Sequence, residues 1–206
     1  MSTATADYLT ASNGRPDFAY IARWVKPGSK VLDLGCGDGS LLRHLKESRG
    51  VQGYGVEIDF DSLVACVGNG ISVVQNDLET GLSMFESNSF DCVILSQTLQ
   101  AMKHTEEIVR EMLRVGREGI VSFPNFGYWR HRLQVLSGHM PVSVDLPYQW
   151  FDTPNVHLCT IGDFDRFCVD HGVRVLQRAI LTRGRAVKFA PNLRGALAVY
   201  RFDRRA

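Results

Sequence analysis

The sequence predicts an α/β protein built as a doubly wound, mostly parallel sheet of seven strands with helices on both faces. Strand-like apolar runs alternate with stretches whose apolar residues fall at helical spacing. One buried strand runs through a glycine-rich turn directly into a helix, as in βαβ units. The length of 206 residues, with 45% hydrophobic and 22% charged residues, suits one globular domain that needs no staple.

The elements follow in order. The first dozen residues are small and polar and are expected to be loosely held. Pro16 opens a helix through Val25, closed by the Pro27-Gly28 turn. Lys30–Leu34 reads as the first strand, and the next helix carries Leu41, Leu42 and Leu45 on one face. Gly53–Ile58 is the second strand, with Asp61 expected to cap a helix through Val67. Ile71–Gln75 and Phe90–Leu95 are the third and fourth strands. A helix over 105–115 presents Ile108, Met112 and Val115, and Gly119–Phe123 is the fifth strand.

The pattern then changes. Residues 124–161 are rich in Trp, Tyr, Pro and Asn and are expected to form a cap or rim. Within them, 128–136 reads as a helix with Trp129, Leu133 and Leu136 inward and Arg130 and Arg132 outward. Residues 141–160 read as a long loop, a feature usually tied to function. A helix at 162–171 precedes two last strands, Val173–Leu181 and Ala196–Phe202, joined by a basic loop with Arg183, Arg185, Lys188 and Arg194.

Composition excludes several classes. The net charge of +1 gives no bulk attraction to nucleic acid or anionic membrane. Residues 1–100 carry 7 basic against 12 acidic residues and 101–206 carry 16 against 10, an asymmetry that fits a solvated basic face or a partner surface. Nucleic-acid methylation would need stacking aromatics in a basic groove, and 183–194 offers only Phe189. Apolar runs reach five residues, so no membrane span is expected, and no signal peptide is read at the N-terminus. Cysteines 36, 66, 92, 159 and 168 form neither a C-x-x-C pair nor a metal cluster, which points to no metal and a reducing, cytoplasmic setting.

The segment that carries chemistry is Val31–Ser40, VLDLGCGDGS: a strand ending in Asp33, glycines 35, 37 and 39, then a helix start. Glycines let a ligand approach the backbone, and the helix start adds free N–H groups. The spacing is G-x-G-x-G, with Ser40 where a dinucleotide fingerprint needs glycine, and no G-K-[ST] follows for a P-loop. Turn chemistry alone accounts poorly for three alternating glycines behind an acid. Taken singly, Glu57 reads equally as a surface carboxylate, Asp77 as an Asx turn and Cys36 as a small loop filler.

This segment resembles the first motif of class I S-adenosylmethionine (SAM)-dependent methyltransferases. Glu57 at the end of the second strand, Asn76-Asp77-Leu78 after the third, and Phe90-Asp91-x-Val93 with Ser96-Gln97-Thr98-Leu99 at the fourth resemble later motifs in order. The resemblance implies the strand order 3-2-1-4-5-7-6 with the last strand antiparallel. It also implies SAM or S-adenosylhomocysteine over the ends of the first strands. Asp33, Gly35, Cys36, Gly37 and Gly39 would hold the methionine part, Glu57 the ribose, Ile58, Asp77 and Leu78 the adenine, with Ser96 beside the methyl.

Longer stretches resemble the MetW family of bacterial methionine biosynthesis from about residue 13 to 202. They are Arg15-Pro16-Asp17 with Ile21, Gly55–Ile58, Ser122–Arg130, Leu146–Trp150, Asp152–His157 and Thr160–Phe164. That resemblance implies an accessory or regulatory partner of homoserine O-acetyltransferase. The alternative is a working methyltransferase on a small molecule or protein side chain. Residues 96–100 hold no titratable group that would serve as base, which leaves the catalytic residue unassigned; His157 reads first as a loop anchor, with a general base as its alternative. Tyr128, Arg130, Trp150, Asn155 and His157 are the substrate or partner candidates, since aromatics and Arg are enriched in interface cores.

Overall fold

A computed structural model describes residues 15–205, so the expectation for the first dozen residues lies outside the described part. Helix α1 (Pro16–Trp24) precedes strand β1 (Lys30–Leu34), helix α2 (Ser40–Arg49), strand β2 (Gln52–Glu57), helix α3 (Phe60–Gly68) and strand β3 (Ser72–Gln75). Strand β4 (Phe90–Ser96), helix α4 (Thr105–Val115), strand β5 (Gly116–Pro124) and helix α5 (Trp129–Leu136) follow. The chain closes with α6 (Ile161–Asp170), β6 (Val173–Thr182), the two-residue β7 (Arg185–Ala186), α7 (Pro191–Arg194) and β8 (Leu197–Arg204). None of the helices among the described residues is long and apolar enough to cross a membrane.

The strands form one sheet in the order β3-β2-β1-β4-β5-β8-β6-β7. β1 to β5 pair in parallel, and β8 lies antiparallel between β5 and β6. This is the expected doubly wound class, with one correction to the order. The basic connection after β6 is not a bare loop: it holds β7, paired through Leu181 and Thr182, and the single turn α7.

Both faces of the sheet are covered, which is why its strands are apolar on both sides. On one face Val31, Ile94, Ile120 and Val199 meet Phe18 and Ile21 of α1, Leu42 and Leu45 of α2, and Cys66 of α3. On the other, Leu32, Val93, Val121 and Tyr200 meet Ile108 and Met112 of α4 and Phe164 of α6. Neighbouring residues of one strand thus serve opposite cores, as the two-residue period requires.

Two local readings are corrected. The cap of α3 is Asp59, whose side chain accepts from the Ser62 N–H at 2.8 Å; Asp61 is the second residue of the first turn. Helix α5 is rotated from its expected setting. Trp129, Leu133 and Leu136 face outward, Leu136 at 83% exposure, and the buried residue is His131. The imidazole is satisfied at both nitrogens, Nδ1 with the Asn125 carbonyl at 3.1 Å and Nε2 with Ser143 Oγ at 3.0 Å. A polar ring with two partners can be buried without penalty, and this one takes the inward position from the apolar stripe.

Gly119 and Phe202 are cross-strand partners, and the Phe202 ring fills the space a side chain at 119 would occupy. A Cβ there would lie 2.5 Å from Phe202 Cε2, inside a fully buried ring. Gly119→Ala is therefore expected to destabilise the fold by about 1–3 kcal/mol through overpacking. Urea unfolding measures this, and adding Phe202→Leu should recover part of the loss.

Candidate functional site

The carboxyl ends of β1, β2 and β4 meet the glycine turn at one end of the strands, where open α/β sheets take ligands. Gly35, Gly37 and Gly39 all have left-handed φ, at 66°, 54° and 74°. Two of them are also sterically fixed. A Cβ at Gly35 would meet Thr98 Oγ1 at 2.9 Å, and one at Gly39 would meet Cys66 Sγ at 2.7 Å. A Cβ at Gly37 would meet nothing within 4 Å, so the middle of the turn is backbone facing open space. Cys36 packs beneath the turn, its Sγ 3.8 Å from that of Cys66.

Glu57 ties the turn to β2. Its carboxylate accepts from the N–H of Gly37 at 2.8 Å, Ile58 at 2.9 Å and Asp59 at 3.0 Å. Ile58 beside it is largely exposed. Asp77 caps a short 3-10 turn (Leu78–Thr80) by accepting from the Glu79 N–H, and Leu78 packs partly against the core.

Asp33 is the anomaly. It is buried at the end of β1, and its Oδ1 has no hydrogen-bond partner among the described residues. Burial pushes its carboxyl up to about 8, Arg15 pulls the other way, and the Asp17 and Glu57 carboxylates add to the rise. A buried, unpartnered acid at the lip of a backbone cradle has the chemistry to receive an ammonium group. The open Gly37 backbone gives such a ligand room, so these residues fit an amino-acid-bearing cofactor such as SAM.

A cluster beside it escaped sequence reading. Arg15 holds Asp17 through Nε at 3.1 Å and Nη2 at 2.9 Å, and Nη2 also donates to Ser96 Oγ at 2.7 Å. The hydroxyls of Ser96 and Ser122 donate to the same Asp17 oxygen at 2.7 and 2.9 Å. Asp17 is completely buried; burial opposes ionisation, but Arg15 and the two hydroxyls outweigh it and hold its carboxyl below the usual range. Ser96 is thus committed to pinning α1 across the ends of β4 and β5. The one available signal was Arg15-Pro16-Asp17 as a motif, which names residues without giving their partners.

The remaining candidates lie in the cap. The His157 ring is exposed, with Nε2 3.1 Å from the Lys103 carbonyl, and its backbone N–H donates to Gln100. That is the arrangement of a loop anchor. Tyr128 is buried edge-on against His131, and the Arg130 guanidinium lies 5.3 Å from the centre of the exposed Trp129 ring. Trp150 is 73% exposed, and Asn155 lies beside it in a shallow notch of the cap.

Comparisons with known proteins agree with this fold. A family model described as methionine biosynthesis protein MetW matches residues 15–202. The bifunctional methionine biosynthesis protein MetXA/MetW of Rhodopirellula baltica is 41% identical over 149 residues, 68% of this chain and 24% of that protein. A demethylmenaquinone methyltransferase of Bacillus cereus is 35% identical over 102 residues, 46% of this chain and 43% of that one. The chain thus spans less than half the length of either relative. A solved structure from Thermotoga maritima, described as a SAM-dependent methyltransferase and possible histamine N-methyltransferase, superposes with a TM-score of 0.68. It covers 97% of this chain and 94% of its own at 14% identity, a likeness of fold.

An acid whose pKa is higher in the folded than in the unfolded chain makes the folded state the greater proton binder between the two values. Asp33 therefore contributes a fall in stability as pH rises from about 4 to about 8. Asp33→Asn removes that slope. Urea unfolding is expected to show the variant gaining about a few kcal/mol on the parent at pH 8 and much less at pH 4. Equal differences at both pH values would mean that folding leaves the Asp33 pKa unshifted.

Proposed function

The chain belongs to the MetW family of methionine biosynthesis proteins, and we propose that it binds SAM and acts as an accessory partner of homoserine O-acetyltransferase. The observation that carries the partnership is the Rhodopirellula relative, whose name joins MetXA and MetW in a single protein. Fusion holds two modules at high effective concentration, which benefits modules that act together. The cap supplies a surface for that contact. Trp129, Leu133, Leu136, Trp150 and Phe151 are exposed and apolar, with Arg130 among them. A cytoplasmic setting belongs to the same proposal, because the neighbouring Cys36 and Cys66 are free thiols.

In the cofactor reading, Asp33 takes the ammonium of the methionine part, and Gly35, Gly37 and Gly39 bring their backbone against it. Glu57 takes the ribose hydroxyls. A carboxylate offers about four acceptor positions; three already serve backbone N–H groups, so ribose occupies the fourth and displaces or shares another. Ile58, Leu78 and Asp77 flank the adenine, and Ser96 lies beside the sulfonium end. Methyl transfer is the second reading. The methyltransferase-like fold favours it, and turnover of SAM to S-adenosylhomocysteine with a cell extract as acceptor source tests it.

Two outcomes are expected. Glu57→Ala should weaken SAM binding at least about tenfold by calorimetry, the value of one lost charge-assisted hydrogen bond; unchanged affinity removes Glu57 from the site. Homoserine O-acetyltransferase should co-purify with the parent chain and gain activity from it. Trp150→Ala and Leu133→Asp alter exposed positions, and each should weaken that association by roughly tenfold or more without lowering the melting temperature appreciably. An acetyltransferase that neither co-purifies nor responds would return methyl transfer to first place.

A further inference from the structure

A second cavity of about 380 Å3 opens at the same end of the sheet, apart from the glycine turn. Arg15, Gln97 after β4, Asp145 of the cap segment and Arg183 after β6 supply its polar wall. Val144 stands exposed at its mouth, and Leu181 and Leu197 lie buried behind its wall. Its size is that of a small-molecule pocket.

Backbone strain points to this cavity independently of its charge. Among the described residues four non-glycine positions have left-handed φ, namely Asn88, Gln97, Arg183 and Ala190. Two of those four, Gln97 at 55° and Arg183 at 50°, line this cavity. Such conformations are unfavourable for side-chain-bearing residues and concentrate where a structure clamps ligands.

The charges point the same way. Arg15 is neutralised by its bidentate pair with Asp17. Arg183 and Asp145, in contrast, enter no hydrogen bond or ion pair among the described residues. Burial raises the Asp145 carboxyl, eased by nearby His131 and worsened by Asp17. The cavity thus carries an exposed guanidinium and a half-buried carboxylate, neither with a side-chain partner among the described residues.

We propose that this cavity binds an α-amino acid with a short uncharged side chain, its carboxylate against Arg183 and its ammonium against Asp145. A zwitterion satisfies both groups at once. A dicarboxylate would set a second anion near Asp145, and a simple amine would leave Arg183 without a partner. With Arg183 and Asp145 engaged and Arg15 held by Asp17, no charged group of the lining remains for a charged side chain. The site is separate from the Asp33–Gly37 cradle, so it stands whether or not SAM binds there.

Calorimetry on the full chain tests the proposal with L-methionine and L-homoserine, each beside its decarboxylated and deaminated analogue. At least one amino acid should bind saturably, and its two analogues should bind at least tenfold more weakly. Asp145→Asn and Arg183→Asn should each weaken amino-acid binding at least tenfold and leave SAM affinity unchanged. Asn is chosen at 183 because it tolerates left-handed φ. The analogue series on the parent chain decides the matter even if a variant folds poorly. Saturation by neither amino acid, equal affinity for the analogues, or one-for-one competition with SAM would overturn the assignment, the last by placing the amino acid in the cofactor cradle.

Discussion

Three carboxylates, Asp17, Asp33 and Glu57, are buried together at the carboxyl end of the sheet, and one guanidinium, Arg15, lies close enough to act on two of them. Unpaired charge is costly to bury, so each acid needs a reason to be there. Asp17 has its reason in Arg15 and two serine hydroxyls, and Glu57 in three backbone N–H groups. Asp33 has none within the described chain, and its carboxyl rises accordingly. An acid left without a partner in this way has the chemistry to receive a cationic group. The group of carboxylates also organises the fold, since Asp17 joins α1 to β4 and β5 while Glu57 fixes the glycine turn to β2.

That joining explains which parts were legible in sequence. The first strand, the glycine turn and Glu57 are local features. Their spacing follows from φ requirements and from the length of one βαβ unit, so a linear pattern carries them. The Asp17 cluster joins residues 79 and 105 positions apart, and no periodicity relates them. Strand β7 was invisible for another reason: two residues of a basic connection have no alternation to detect. At α3 both Asp59 and Asp61 had capping chemistry, and only the backbone entry angle decided between them.

The failure at α5 is the most instructive, because the apolar stripe Trp129–Leu133–Leu136 is real and its burial was the ordinary inference. What reversed it is a histidine with two partners. Asn125, itself fully buried, holds Nδ1 through its carbonyl, and Ser143 reaches back from the cap to Nε2. Burial keeps the ring neutral, its pKa below the ordinary histidine value. The helix is oriented by these hydrogen bonds, and the apolar side chains are left outside as a surface rich in the residue types that interfaces use.

The cap is therefore one covalent segment with two aspects. Asp145 lines the cavity with Val144 exposed at its mouth, and Tyr148, Trp150 and Phe151 stand a few residues on at the outer surface. It is tethered at both ends, through His131 and Ser143 on one side and through Val156 and His157 to the Gln100 carbonyl on the other. Gln100 lies in the 3-10 turn (Leu99–Ala101) that follows β4, and Thr98 before it packs against the glycine turn at Gly35. A ligand at either inner site thus touches the same framework that presents the outer face. Position alone does not make that coupling. A ligand that binds free and partnered forms equally well shifts nothing, and any difference must be reciprocal, the partner altering ligand affinity by the same factor. The structural requirement is that ligand contacts and partner contacts share a segment able to settle differently against each. Residues 141–157 have no helix or strand of their own and are held at their ends, so their position meets the first half of that requirement.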